Sequence, residues 1–159
     1  MTDACIALGS NLDGPRAHVE QAFAALAALP GTQVRARSRL YRTPPWGVVD
    51  QPDFVNAVAV LDTALEPREL LQALLAIEAR AGRVRGIRNG PRVLDLDLLL
   101  YGGRTIHLPE LEVPHPRLQD RAFVLVPLAE VAPDLEVPGR GRVADLLARV
   151  DARGCVPIA

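Results

Sequence analysis

Short apolar runs alternate along the chain with segments of helical spacing. "ACIAL" (Ala4 to Leu8) is stopped by "GSN", the pattern of a buried strand ending in a turn. From Pro15 the spacing changes to three and four: Val19, Phe23 and Leu26 share one face, and Pro30-Gly31 ends the pattern. "TQVRARSRLYRT" then alternates, with Val34, Ala36, Ser38 and Leu40 on one side and Arg35, Arg37 and Arg39 on the other, which predicts one strand with a solvated face. Phe54 to Thr63 predicts another extended run. A second helix opens near Pro67, places Leu70, Leu74 and Ile77 on one face with Leu71, Leu75 and Glu78 beside them, and ends at Ala81-Gly82.

After that helix comes "RVRGIRNGPR" and then a strand reaching Tyr101. The order strand, helix, strand, strand, helix, strand is the β-α-β-β-α-β order of a ferredoxin-like sandwich, an α/β (α+β) fold with a mainly antiparallel sheet. "TPPWGVVDQPD", between the third and fourth predicted elements, is too irregular for strand or helix, and loops of that kind often carry function. Beyond Gly102-Gly103 lies a proline-rich C-terminal extension, with short helices expected after Arg121 and over Val143 to Val150.

Composition narrows the choices. The 159 residues, 49% hydrophobic and 23% charged, suit one domain over positions 1–159. A formal net charge of -1 removes the general electrostatic case for nucleic acid or an anionic membrane, so neither is an expected partner and anion chemistry must be local. Cys5 and Cys155 form no ligand spacing, and no signal peptide or long apolar span is visible, so a reduced, cytoplasmic chain is expected. A monomer is the expected state, though not one these features derive.

The last predicted strand, "VLDLDLLLY", carries the candidate chemistry. Alternation puts Asp95 and Asp97 on one face with Val93, Leu99 and Tyr101, and Leu94, Leu96, Leu98 and Leu100 on the other. Their Cβ atoms are then roughly 6.5–7 Å apart, a spacing at which carboxylates converge on one metal or bridge two. Oxygen-only ligands favour Mg²⁺ with substrate phosphates. Arg83, Arg85, Arg88 and Arg92 precede the strand among three glycines, Gly82, Gly86 and Gly90, a cationic loop suited to phosphate oxygens. The plainer alternatives are aspartates that face water, or arginines paired with those aspartates. His115 in "VPHPR" is a phosphate donor or a loop histidine, while His18 and His107 suggest only surface or packing roles. Asn56 interrupts a nearly apolar strand and needs partners, from a flat heterocycle or from the backbone. Phe54 and Phe123 stack a ring or belong to the core. Neither a Walker loop nor a complete GxGxxG is present.

Five ordered motifs, "IALGSNL", "YRTPPWG" with "QPDFVNAV", "IE" with "GRVR", "GPRVLDLDLLLYG" and "VPHPRLQDRAFVLVPL", resemble those of the 6-hydroxymethyl-7,8-dihydropterin pyrophosphokinases of folate biosynthesis. The resemblance covers nearly the whole chain. It implies the ferredoxin-like fold, ATP and 6-hydroxymethyl-7,8-dihydropterin as substrates, and transfer of pyrophosphate to the pterin's hydroxymethyl oxygen. By match of position it assigns two Mg²⁺ ions to Asp95 and Asp97, which with Arg83 and Arg92 form the catalytic set. Glu78, Arg83, Arg85, Arg92, Leu98, His115 and Arg121 would lie around ATP. Thr43, Pro44, Pro45 and Trp46 would form the pterin-side loop, Asn56 would read the ring's polar edge, Phe54 and Phe123 would stack on it, and Gly9 would approach through its backbone.

Asn89 departs from the aromatic that many relatives carry before Gly-Pro-Arg, and Pro116 from an aromatic that some carry after the histidine. Three other readings compete. An RNA-binding module of the same topology is disfavoured by 4% aromatic content and by carboxylates on the strand face. A different Mg²⁺-dependent phosphotransferase, or an inactive relative, shares the fold and differs in substrate or turnover.

Overall fold

The computed structural model describes residues 1–45, 50–82 and 93–158. Six of its elements follow the predicted order: β1 (Thr2–Ser10), α1 (Pro15–Ala27), β2 (Thr32–Arg37), β4 (Phe54–Thr63), α2 (Pro67–Arg80) and β5 (Asp95–Tyr101), with a short β3 (Tyr41–Thr43) between β2 and β4. β4 pairs β1, β1 pairs β5, and both β2 and β3 pair β4, all antiparallel. The core order is therefore β2-β4-β1-β5, as a ferredoxin-like sandwich requires.

Strand alternation gives the sheet two apolar faces. Ala4, Ile6, Leu8, Leu61, Leu96 and Leu98 meet Val19, Phe23 and Leu26 of α1 and Leu70, Leu74 and Ile77 of α2. Cys5, Val58, Val60, Leu99 and Leu100 meet α3 (Ala122–Val131) and α4 (Val143–Leu147) on the other. Each fully buried Leu or Val contributes about 1.5–3 kcal/mol, so both faces are held strongly. α2 begins cleanly because Glu69 Oε1 accepts the Glu66 backbone N–H at 2.9 Å. No helix among the described residues is long and apolar enough to cross a membrane.

Two strands differ from the alternation read in the sequence. The run Thr32–Thr43 is broken after Arg37: Ser38 Oγ accepts the Val58 N–H at 2.9 Å and donates to Arg39 O at 2.7 Å, which bends the chain before β3. In β5, Leu98 pairs Ile6 but Leu100 pairs Cys5, so Leu99 is an extra residue in a bulge. The bulge inverts the faces beyond it. Tyr101 joins Leu94, Leu96 and Leu98 in one cluster, and Leu100 joins Leu99 in the other, the reverse of the predicted sides.

The extension is more ordered than its prolines suggested. β6 (Ile106–Leu108) and β7 (Leu111–Val113) form a hairpin, β8 (Glu136–Val137) and β9 (Gly141–Arg142) another, and β10 (Val156–Pro157) returns to pair β3.

Candidate active site

Strand register assembles one row across the sheet. Tyr41 stands opposite Asn56, Asn56 opposite Gly9, and Gly9 opposite Asp95. The adjoining pairs are Thr43 with Phe54 and Ala7 with Asp97. Since register partners project to the same side, Asn56, Asp95 and Asp97 share the face on which α3 covers Cys5, Val58 and Val60 farther along.

Asn56 is buried, and its Nδ2 donates to Thr43 Oγ1 at 2.7 Å. Its Oδ1 lies over Gly9, where an added Cβ would approach to 2.6 Å and would lie 3.9 Å from Phe54 Cδ1. Only glycine leaves the amide where it is. Asp95 and Asp97 are half-buried and stand opposite the small residues Gly9 and Ala7. Among the described residues no third His, Cys, Asp or Glu joins them as a ligand cluster. Two oxygen donors of that kind fit a hard divalent cation whose remaining positions are filled by substrate phosphate and water.

A cavity of about 370 Å³ runs along the edge of β5, lined by Asp97, Leu98, Leu71 of α2, the β6-β7 turn and His115. Among the described residues β5 is the outermost strand of this sheet, so its outward amides have no strand partner there. The Glu78 carboxylate, itself buried, accepts the Leu96 N–H at 2.7 Å. Two-residue alternation then points the Leu98 amide to the same side, toward the cavity. His115 is fixed by its backbone N–H, which donates to the bulged Leu99 carbonyl at 3.0 Å. Its Nδ1 accepts the Arg117 N–H at 3.2 Å, which places the proton of the neutral ring on Nε2. Burial, and then the charges of Arg121, Arg140 and Arg117, push its pKa down to about 4. His115 is thus a neutral donor at physiological pH.

A second cavity, about 180 Å³, lies between Thr43, Pro44 and Pro45, the Phe123 ring at the start of α3, and the C-terminal Gly154 and Cys155. Arg121 lies 5.6 Å from the centroid of the Phe123 ring, half-buried beside it.

The structure thus gathers Gly9, Thr43, Phe54, Asn56, Asp95 and Asp97 on one face, with Pro44, Pro45 and Phe123 at one cavity and Leu98 and His115 at the other. Glu78 sits beneath the edge of β5, where it braces the Leu96 backbone. Trp46, Arg83, Arg85 and Arg92, with Asn89, lie outside the described residues. Sequence reasoning missed Arg140, whose guanidinium donates to His115 O at 2.5 Å, Gln119 Oε1 at 2.6 Å and Pro114 O at 3.3 Å and so holds the loop around His115. It also missed the β6-β7 wall, although "IHLPELEV", two apolar-ended triplets around a two-residue turn, is a hairpin signal.

An antiparallel α/β sandwich with paired carboxylates beside a nucleotide-sized edge cavity has the layout of a phosphoryl-transfer enzyme. The family model described as 7,8-dihydro-6-hydroxymethylpterin-pyrophosphokinase (HPPK) matches residues 5–133, and the chain belongs to this family. It is 52% identical over 149 residues to the 2-amino-4-hydroxy-6-hydroxymethyldihydropteridine pyrophosphokinase of Pseudomonas aeruginosa, covering 94% of this chain and 92% of that one. It is 50% identical over 154 residues to the protein of the same name from Methylorubrum extorquens, covering 97% of each. Among solved structures it resembles Plasmodium falciparum HPPK-DHPS wild type with SDX-DHP, at a TM-score of 0.72 and 15% identity, over 94% of this chain and 43% of that chain. That likeness is one of fold, and this chain spans under half of the Plasmodium protein.

Proposed function

We propose that the protein transfers the pyrophosphoryl group of MgATP to the hydroxymethyl oxygen of 6-hydroxymethyl-7,8-dihydropterin, releasing AMP, within one domain over positions 1–159. The observation that carries this reading is the row Asn56, Gly9, Asp95. It sets the Asn56 amide and the Asp95 carboxylate two strand spacings apart, about 9.5 Å, with only Gly9 between. A flat bicyclic acceptor laid over Gly9 would meet Asn56 at its polar edge and present its hydroxymethyl arm toward Asp95.

The Thr43 hydroxyl accepts from Asn56 Nδ2 and leaves Oδ1 over Gly9, where it would meet the ring's donors. Phe54 and Phe123 would cover the ring's faces, with Pro44, Pro45 and Trp46 closing the loop side. The nucleotide belongs in the β5-edge cavity, its base against Leu98 and its phosphates toward Asp97 and His115. There the His115 Nε2–H donates to a phosphate oxygen, and Arg83, Arg85, Arg92 and Arg121 supply positive charge to the others. Glu78 would act through the backbone of β5, keeping Leu96 and Leu98 in place. Asp95 and Asp97 would hold two Mg²⁺, which when bound neutralise phosphate charge and polarise the transferred group. The acceptor oxygen forms its bond to the β-phosphorus as the bond from that phosphorus to the α,β-bridging oxygen breaks; AMP leaves and the hydroxyl proton passes to solvent.

The working form in this proposal is a cytoplasmic monomer. Among the described residues the exposed large apolar side chains are Met1, Leu75 and Val156, scattered rather than forming a patch, and Cys5 and Cys155 are both free thiols. An acceptor analogue without the hydroxyl, 6-methyl-7,8-dihydropterin, tests the chemistry. It should bind beside MgATP and yield no AMP; AMP formation at the rate seen with the hydroxymethyl compound would contradict acceptor transfer.

A further inference from the structure

Residues 151–158 lie beyond the part of the chain that the family model matches, yet they reach the acceptor side of the site. Val156 pairs Arg42 and Pro157 pairs Tyr41, so the chain's end is an added edge strand on β3. The Ile158 N–H donates to Leu40 O at 2.8 Å and extends that zipper by one residue. Before the strand, the Cys155 N–H closes a turn on Ala152 O at 3.0 Å. The turn presses Gly154 against the acceptor loop: a Cβ at Gly154 would lie 3.0 Å from both Cδ and Cγ of Pro44. Gly154 itself is exposed, and among the described residues the atoms a Cβ there would meet are those of the Pro44 ring.

Pro44 directly follows Thr43, whose Oγ1 holds the Asn56 amide. A push on the Pro44 ring is therefore delivered one residue from the hydroxyl that orients the acceptor-reading group. The sheet runs β10-β3-β4-β1-β5, which puts this contact at the opposite edge from the nucleotide cavity.

We propose that the C-terminal segment is a positioning element for the acceptor, and that the missing side chain at Gly154 preserves acceptor affinity by leaving Pro44 and, through it, the Thr43-Asn56 pair in place. Gly154 acts through Pro44 and is a positioning residue, not a catalytic one. The inference rests on the reading of Thr43 and Asn56 as the pterin site. It requires effects on the two substrates to separate: a side chain at position 154 displaces Pro44 and weakens pterin binding, while the distant nucleotide pocket is untouched.

The test uses the full chain with Gly154→Ala and Gly154→Val. Calorimetry would measure 6-hydroxymethyl-7,8-dihydropterin in the presence of a non-hydrolysable MgATP analogue, and that analogue alone. Overpacking of this size predicts a pterin Kd raised severalfold in Gly154→Ala and roughly tenfold or more in Gly154→Val, with the analogue's Kd unchanged in both. Combining Gly154→Val with Pro44→Ala, which removes the ring the new side chain strikes, should recover part of the loss relative to Pro44→Ala alone. Unchanged pterin affinity in a folded Gly154→Val protein would overturn the proposal, as would an equal loss for both ligands or a strictly additive double variant. If Gly154→Val does not fold, Gly154→Ala decides by the same criteria. A wild-type chain that binds the nucleotide analogue but no pterin would overturn the reading of the acceptor site itself, and this inference with it.

Discussion

The Asn56 side chain lies directly over Gly9, with its Oδ1 only 2.6 Å from where a Cβ on that glycine would stand. The same amide is tied from its other end to Thr43 at 2.7 Å, so it has nowhere to retreat without breaking a buried hydrogen bond. Gly9→Ala should therefore cost about 1–3 kcal/mol of stability and weaken pterin binding by roughly tenfold or more. Denaturant unfolding and calorimetry check the two effects; a variant with wild-type pterin affinity would show that the Asn56 amide is not positioned by this contact.

Asp95 and Asp97 stand on one face opposite Gly9 and Ala7. Asp95→Asn and Asp97→Asn should each reduce Mg²⁺-dependent turnover on the order of a hundredfold or more, since each removes a ligand charge. Near-normal turnover of both variants at saturating Mg²⁺ would rule out the metal assignment.

His115 provides a pH signature. Burial and the neighbouring Arg121, Arg140 and Arg117 lower its pKa from 6.5 to about 4. Between those values the unfolded chain binds a proton that the folded chain does not, so this contribution to stability is present above pH 6.5 and is lost as pH falls toward 4. Partial exposure reduces the effect to on the order of 1–2 kcal/mol. Urea unfolding at several pH values across this window should show a shallower acid loss in His115→Gln than in the wild type; identical slopes would remove His115 from the account of acid stability.

Glu78 accepts the Leu96 N–H within the buried edge of β5. Glu78→Ala strands that donor and should destabilise the fold by about 1–3 kcal/mol, whereas Glu78→Gln, which keeps an acceptor oxygen, should lose less. The expected kinetic companion is a raised KM for ATP in Glu78→Ala, because Leu98, two residues along the same strand, lines the β5-edge cavity proposed to take the nucleotide. Equal stability of the alanine and wild-type proteins would show that Leu96 finds another partner.

The helices and core strands were legible because their signals are local. The Val19, Phe23, Leu26 and Leu70, Leu74, Ile77 spacings each define one buried face, and those six residues are buried in the structure. The Leu99 bulge was not legible. It is set by what lies across the strand and by His115, sixteen positions on, whose N–H takes the bulged carbonyl. Asn56 was recognisable as a polar residue needing partners, but its pairing with Thr43 and its place over Gly9 depend on three-strand register that no single segment encodes. The same holds for the network in which the Tyr41 hydroxyl donates to Glu130 and Arg39 Nε donates to the same carboxylate at 3.2 Å, tying β3 to α3 across 89 residues of sequence.

The identity of the nucleotide product tests the central claim most directly. Attack by the acceptor hydroxyl at the β-phosphorus requires AMP, whereas transfer of the γ-phosphoryl group alone leaves ADP. Purified protein, Mg²⁺, ATP and 6-hydroxymethyl-7,8-dihydropterin, resolved by chromatography, should give AMP and the pterin diphosphate in equal amounts, with only background turnover when the pterin is omitted. ADP as the stoichiometric product, or AMP formed equally well without the pterin, would contradict the account.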